Sequence, residues 1–332
     1  MKSFKTEILI PDSENIAKCA DEILSGGIVA FHTETVYGLG ANATDKTAVE
    51  KIFKAKGRPN DNPLIVHISD KSQIELLVSE IPPIAFKLID KFFPGALTLV
   101  FKKSDVVSDI VTAGLDTVAV RMSSSPVALG LIKAAGKPMA APSANSSGKP
   151  SPTKAQHVYD DLNGKVKYIL DGGQCGIGLE STVLDLSQAA PMILRSGEVT
   201  KEQIEEIIGE VAVYGDVIKN ETPRSPGLKY RHYSPKAKVF VCDGKKINSL
   251  YDTEFANQKK VVIMCLDSTR NLYGERDVYT VGQNYKDYAK NLFACLRQAD
   301  DDGYDVVIAE SVPDTFIGAA INNRLKKASG EF

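Results

Sequence analysis

The sequence predicts an α/β protein built in two parts, and three observations carry that prediction. Short apolar runs of strand length alternate with longer stretches whose apolar residues recur at helical spacing. A chain of 332 residues exceeds what one core ordinarily encloses. The stretch 213–236 contains Pro223, Pro226, Gly227 and Pro235 and has no periodicity, so it reads as a linker between a part spanning 1–212 and a smaller one spanning 237–332.

The first part can be taken in order. Ser13 to Leu24 places Ile16, Ala20, Ile23 and Leu24 on one helical face, with Ser13 as a cap and Gly26-Gly27 as the stop. Ile28 to Phe31 is a buried strand. It leads into Thr33-Glu34-Thr35-Val36-Tyr37-Gly38-Leu39-Gly40, which reads either as a loop whose backbone approaches a ligand or as an ordinary connection. Lys46 to Phe53 is a second helix, Leu64 to Ile68 a strand, and Ser72–Ser79 and Pro83–Phe92 helices. Ala96 to Phe101 is a strand after the Pro94-Gly95 break. From Thr117 to Met122 the pattern alternates. Val118, Val120 and Met122 face one way, and Thr117, Ala119 and Arg121 the other. An arginine beside small residues serves either a structural ion pair or an anion. Ser125-Pro126 opens a helix that Gly136 closes. Ala141-Pro142-Ser143-Ala144-Asn145 follows, and the two-residue spacing of Ser143 and Asn145 lets their polar groups share one space. Ser151-Pro152 is expected to cap a helix to Leu162. Val166–Leu170 and Glu180–Leu186 are strands, and Thr200 with Gln203 is a capping-box start for Lys201–Ile208.

Between the second helix and its following strand, Lys54, Lys56 and Arg58 crowd together ahead of Pro59 and Pro63. Prolines favour extended backbone before them, and residues two apart on extended chain point the same way. Lys56 and Arg58 are therefore expected to form an anion clamp, with a solvated basic turn as the alternative. The smaller part alternates strands at Val239–Cys242, Lys260–Cys265 and Asp305–Ala309 with helices at Asp287–Ala299 and Thr315–Lys327. That is a small α/β, Rossmann-like unit without a chemical constellation of its own.

Composition narrows the function. Hydrophobic content of 43% and charged content of 25% describe an ordinary globular chain. A net charge of -2 argues against coating nucleic acid through bulk positive charge. The five cysteines form no Cys-x-x-Cys pair, so neither a disulfide framework nor a zinc site is expected. There is no apolar signal core at the N-terminus and no run long enough for a membrane span, so a cytoplasmic location without membrane contact is the expectation. The standard P-loop, a His-Glu-x-x-His helix and a Gly-x-Ser-x-Gly elbow are all missing. His32, His67, His157 and His232 are too dispersed to suggest a metal site.

Four motifs occur in order: Thr33-Glu34-Thr35-Val36-Tyr37-Gly38-Leu39; Lys56-Gly57-Arg58-Pro59 with Asn62-Pro63-Leu64-Ile65-Val66-His67; Ala141-Pro142-Ser143-Ala144-Asn145; and Ser225-Pro226-Gly227-Leu228-Lys229-Tyr230-Arg231-His232-Tyr233. Together they resemble the threonylcarbamoyl-AMP synthase family in its two-domain form, with a YrdC-type catalytic domain, across nearly the whole chain. His32 departs from the resemblance, since many relatives carry Pro there, and is expected to alter loop stiffness more than chemistry. The resemblance implies a twisted mixed sheet with helices around an open, positively charged cavity. It implies a nucleotidyltransferase that forms threonylcarbamoyl-AMP and pyrophosphate from L-threonine, bicarbonate and ATP with Mg²⁺. The product would modify the tRNA adenosine beside the anticodon through downstream transfer proteins, and weak tRNA contact is a further expectation of the resemblance.

By the same resemblance Lys56, Arg58, Ser143 and Asn145 are the catalytic set. Thr35, His67, Arg121, Ala141 and Ser181 line the threonine, and Arg58, Asn62, Thr117, Ser143, Ser151, Arg195 and Tyr233 the nucleotide. No protein metal site is implied, and the linker carrying Tyr233 would be a lid. An RNA-binding module using the same cations is one alternative. A carbamoyl transferase of metallocentre maturation is another, although its zinc-finger Cys-x-x-Cys pairs are missing here.

Overall fold

A computed structural model describes residues 5–214 and 232–330. Most of the linker, residues 215–231, lies outside them, and with it most of the Ser225 to Tyr233 motif. The described chain forms two compact units. One holds the chain up to Ser147, then Pro152–Gly176, and the stretch from Glu180 to residue 214. The other takes in Gly148–Ser151, Ile177–Leu179 and the chain from residue 232 on.

The first unit begins with β1 (Glu7–Leu9), α1 (Ser13–Leu24), β2 (Val29–Phe31), β3 (Gly38–Asn42), α2 (Lys46–Lys56) and β4 (Ile65–His67). It continues with α3 (Gln73–Leu77), α4 (Pro83–Phe92), β5 (Leu97–Lys102), α5 (Asp109–Thr112), β6 (Thr117–Arg121) and α6 (Pro126–Ala135). Then come β7 (Met139–Ala140), α7 (Ala155–Leu162), β8 (Tyr168–Leu170), β9 (Thr182–Asp185), β10 (Met192–Arg195), α8 (Lys201–Ile208) and β11 (Ala212–Val213). Its strands form one mixed sheet in the order β1-β8-β2-β3-β7-β4-β6-β5-β9-β10-β11. The sheet and the helices around it are the mixed α/β architecture that the sequence predicts.

Caps fix several helices where the sequence places them. Ser125 accepts from the Ala128 N–H, and Gly136 ends α6 in the left-handed region at φ 61°. The Thr200–Gln203 box is made in both directions at α8. In α1, Asp12 rather than Ser13 is the N-cap and accepts from the Asn15 N–H. The helix read from Ser151 starts instead at Ala155, because Pro152 is spent on an extended segment whose carbonyl accepts from the Tyr37 N–H at 2.9 Å. Strand β3 falls where the sequence reads as loop. Glycine has poor strand propensity, but a Cβ at Gly40 would lie 2.3 Å from Met139 Cε and 2.7 Å from Phe31 Cε1, so the strand passes where only glycine fits.

Alternation along the central strands separates two faces. Val66, Leu99, Val118, Val120 and Leu184 enter the main core under the helices. Ile65, Val100, Ala119, Val183 and Leu194 form a separate small apolar floor on the opposite face. The site residues rise from that second face.

The second unit has β12 (Lys238–Cys242), α9 (Gly244–Ala256), β13 (Val261–Cys265), β14 (Val278–Thr280), α10 (Tyr285–Asp301), β15 (Val306–Glu310) and α11 (Ile317–Ser329). Its sheet is all parallel in the order β12-β15-β13-β14. Parallel strands need crossovers, and the helices between them supply those. Among the described residues no helix is long and apolar enough to cross a membrane.

Candidate active site

Register brings the site together. His67 on β4 pairs with Arg121 on β6, and Ile65 with Ala119. Ala119 also pairs with Val100 on β5. Thr98 pairs with Val183 on β9, which in turn pairs with Arg195 on β10. Residues two apart share a face, so His67, Thr117, Arg121, Thr98 and Arg195 stand on the face of the small apolar floor. Ser181, just before β9, joins them: its hydroxyl is 2.7 Å from Thr98 Oγ1 and accepts from Arg195 Nη2 at 3.2 Å. Arg195 Nε donates to the Ser181 carbonyl at 3.1 Å. Thr117 and Arg121 are separated by about 13 Å along the strand, which distinguishes two ends of one surface.

Arg121 is held from three directions. Its Nε donates to the Gly95 carbonyl at 3.1 Å, Nη1 to Thr35 Oγ1 at 2.8 Å and Nη2 to Glu34 Oε1 at 2.7 Å. The Arg121–Glu34 pair is only 4% and 14% exposed. Ser123 donates to the other Glu34 oxygen, and the Ser124 N–H reaches Oε1 at 3.2 Å. Burial pushes the Glu34 carboxyl up, but Arg121 and these hydrogen bonds outweigh it and hold it at about 2. Of the two alternatives left open for Arg121, the ion pair is present. Two of its five N–H groups remain for a ligand.

His67 is 3% exposed, and its Nδ1 has no hydrogen-bond partner among the described residues. Burial, and then the positive charge of Arg121, push the imidazole down to about 3. It is therefore neutral at any ordinary pH. Thr35 is positioned by Thr33, whose hydroxyl is 2.8 Å from Thr35 Oγ1 and accepts from the Thr35 and Val36 N–H groups at 3.2 Å. Ala141 spends its N–H on the Ile65 carbonyl at 2.9 Å, so its own carbonyl is the group it offers.

Lys56 and Arg58 depart from the extended clamp. Helix α2 continues through Lys56, and Gly57 ends it at φ 62°. Pro59 constrains Arg58, the residue directly before it, and does not reach back to Lys56. The buried Lys56 ammonium donates to the Ser143 carbonyl at 2.5 Å, the Asn145 carbonyl at 2.6 Å and Asn145 Oδ1 at 3.3 Å. Ser143 donates to the same Oδ1 at 2.6 Å, so the Ser-x-Asn pair does share one space, and Lys56 fixes it there. Arg58 Nη2 donates to the Asn62 and Pro63 carbonyls at 3.2 and 3.4 Å. The Asn62 side chain is buried, with Oδ1 lacking a described partner.

Ser151 and Tyr233 belong to the second unit. Tyr233 is buried there, its ring 5.1 Å from that of Phe293 and beneath the Arg324 guanidinium at 5.6 Å. His32 ties its loop to α6, with Nδ1 2.9 Å from the Ser125 hydroxyl. Sequence reasoning missed Glu34, Ser123 and Thr98 as working parts of this surface. Glu34 was visible inside the first motif, but nothing in the spacing names Arg121 as its partner. Among the described residues no three His, Cys, Asp or Glu side chains gather in a way that could hold a metal ion.

A family model described as telomere recombination, covering Sua5, YciO and YrdC proteins, matches residues 21–197. The C-terminal domain model of threonylcarbamoyl-AMP synthase matches residues 199–330. A threonylcarbamoyl-AMP synthase from Pyrococcus abyssi is 49% identical over 93% of this chain and 92% of its own length. One from Bacillus subtilis is 48% identical over 98% and 96%. The crystal structure of P. abyssi Sua5 complexed with L-threonine superposes with a TM-score of 0.93 at 46% identity, covering 99% of this chain and 98% of that one. Escherichia coli YciO covers 59% of this chain and 96% of its own at a TM-score of 0.52 and 25% identity. With both family models matched in order and close relatives aligned over nearly their full lengths, this chain belongs to the threonylcarbamoyl-AMP synthase family, in its two-domain form.

Proposed function

We propose that the face carrying His67, Arg121, Thr117, Ser181 and Arg195 binds L-threonine at Arg121 and ATP beside it on the same face, with Arg195 in the cross-strand row of Arg121 and Thr117 at the other end of β6. The observation that carries this reading is the shared register of those residues over one small apolar floor. The threonine carboxylate takes the two remaining N–H groups of Arg121. That guanidinium is already fixed by Gly95, Thr35 and Glu34, so little side-chain entropy is lost on binding. His67, neutral and with an unpartnered ring nitrogen, meets a polar group of the amino acid. Thr35, the Ala141 carbonyl and Ser181 complete that end.

The chemistry then balances. The neutral threonine amine and bicarbonate give a carbamate and water. A carbamate oxygen attacks the α-phosphorus of ATP, the bond to the β-phosphate oxygen breaks, and pyrophosphate leaves. The attack brings anions together, so the residues must neutralise charge and align the reactants. Arg58 and Arg195 supply positive charge. Lys56 sets the Ser143–Asn145 pair, and Ser143 and Asn62 are assigned to the nucleotide. Mg²⁺ bound with ATP would supply further positive charge to the triphosphate. No covalent enzyme intermediate is required. The adenylate would pass to transfer proteins acting on tRNA in the cytoplasm.

Incubating the protein with ATP, L-threonine and bicarbonate, and omitting each in turn, tests the reading by mass spectrometry. The adenylate is expected only when all three are present. Its formation without threonine, or its absence from the complete mixture, would overturn the assignment.

A further inference from the structure

Strands β2 and β8 run parallel, with Phe31 opposite Leu170, so the chain leaves both at the same edge of the sheet. His32 is the first residue out of β2, and it meets the 171–175 loop that follows β8. A Cβ at Gly172 would lie 2.5 Å from His32 Cγ and 2.8 Å from its Nδ1, so the ring fills the space that a side chain there would need. The ring stands edge-on to Tyr37 at 5.4 Å. The Tyr37 hydroxyl in turn lies 2.9 Å from Asp171 Oδ1 and 2.7 Å from the Gly173 carbonyl. A further hydrogen bond joins the His32 ring to the Gln174 backbone. On its other side His32 meets the cap of α6. Its Nδ1 is 2.9 Å from Ser125 Oγ, and that hydroxyl is 3.1 Å from the His32 carbonyl. One imidazole thus joins the start of α6 to the 171–175 loop, all within the first unit.

The turn that begins at His32 is the one that fixes Arg121. The Thr33 hydroxyl, next in the chain, is 2.8 Å from Thr35 Oγ1. Thr35 Oγ1 and Glu34 Oε1 then accept from two Arg121 nitrogens at 2.8 and 2.7 Å. The Cys175 thiol, at the far end of the same loop, meets the Thr33 backbone. Packing alone would call for a ring of this size but for neither of its hydrogen bonds.

We infer that His32 is a positioning residue for L-threonine. By tying the α6 cap to the 171–175 loop it sets the turn whose Glu34 and Thr35 aim Arg121. This rests on the proposed function, because threonine binding at Arg121 comes from there.

The test uses the full chain with His32→Phe and His32→Asn, measuring kcat and the KM for threonine and for ATP separately. Phe keeps a ring against Gly172 and Tyr37 but makes neither hydrogen bond. Asn keeps a polar group where Nδ1 stands, within reach of Ser125. His32→Phe is expected to raise the threonine KM about tenfold, because the ligand must then supply the ordering that a hydrogen bond provided. The ATP KM and kcat should stay within about twofold, and His32→Asn should recover most of the threonine KM. An unchanged threonine KM, or equal rises for both substrates, would overturn the positioning role. Should His32→Phe fail to fold, titration of the wild-type ring followed by nuclear magnetic resonance decides the matter. Burial holds the imidazole below its ordinary value against the pull of Glu34 and Asp171, the charged groups that face it beside Tyr37, so this seat favours the neutral ring. Threonine that selects the seated ring is expected to move its protonation to still lower pH, and acid to weaken threonine binding reciprocally. A titration unmoved or raised by threonine would overturn the role. A wild-type chain that binds no threonine would instead bring down the proposed function itself.

Discussion

Replacing Glu34 by Gln removes one charge from a buried pair and keeps the shape, which makes the cost calculable. The folded carboxyl titrates at about 2, against an ordinary 4.5. At about 1.4 kcal/mol for each tenfold in Ka, the ionised Glu34 contributes roughly 3 kcal/mol of stability near pH 7. The cost of leaving a buried arginine without its anion falls in the same range, about 3–5 kcal/mol. The direction with pH follows from the depressed folded value. Above the ordinary 4.5 both folded and unfolded chains are ionised and the contribution is whole; below it the unfolded chain takes up the proton first, and the contribution fades as pH falls through about 2. Urea unfolding followed by far-ultraviolet circular dichroism should place Glu34→Gln about 3 kcal/mol below the wild type near pH 7, with the gap narrowing by about 1 kcal/mol near pH 3.5. A gap under about 1 kcal/mol, or one indifferent to pH, would show that the pair does not hold Arg121 as described. The same variant should weaken threonine binding, because a loosened guanidinium must be ordered again by the ligand.

Other expectations follow from the same surface. Arg58→Ala should lower kcat/KM by about 2–4 kcal/mol of transition-state stabilisation, and near-wild-type turnover would mean that the anion lies elsewhere. Arg121→Ala should raise the threonine KM far more than the ATP KM in steady-state assays; parallel rises would remove its assignment. Lys56→Met should disorder the 143–145 turn, seen as faster amide exchange there, because three oxygens lose one shared cation. His67, pushed down to about 3 chiefly by burial, should put no inflection into the rate profile between about pH 5 and 8. Its depressed value adds stability that is whole above the ordinary 6.5 and declines as pH falls toward 3, so His67→Asn should flatten that part of the stability curve.

Much of this was legible because periodicity reports burial. The alternation from Thr117 to Met122 correctly puts Arg121 opposite Val118 and Val120, and the spacing of Ser143 and Asn145 correctly puts their polar groups together. Helix limits were readable where a side chain caps them, as at Ser125 and Thr200. The reading failed where long-range packing overrides local preference. Gly38 to Asn42 is a strand because it pairs with Val29–Phe31 on one side and Met139–Ala140 on the other, with room only for glycine at Gly40; Lys56 was misplaced for a local reason, since α2 stops at Gly57 and Pro59 constrains only Arg58. The partnership of Glu34 with Arg121 spans 87 positions, and no local pattern announces a contact of that separation. Nor does anything near Gly172 foretell that the His32 ring will fill the space beside it.

The central claim is that one face of the central strands receives the amino acid at Arg121 and the nucleotide beside it, on the face that also carries Thr117 and Arg195. A crystal structure of this chain with L-threonine and a non-hydrolysable ATP analogue measures that most directly. The threonine carboxylate is expected within hydrogen-bonding distance of Arg121, beside His67, with the phosphates between it and Arg195. Threonine bound away from Arg121, or phosphates on the helix-covered face of the sheet, would contradict it.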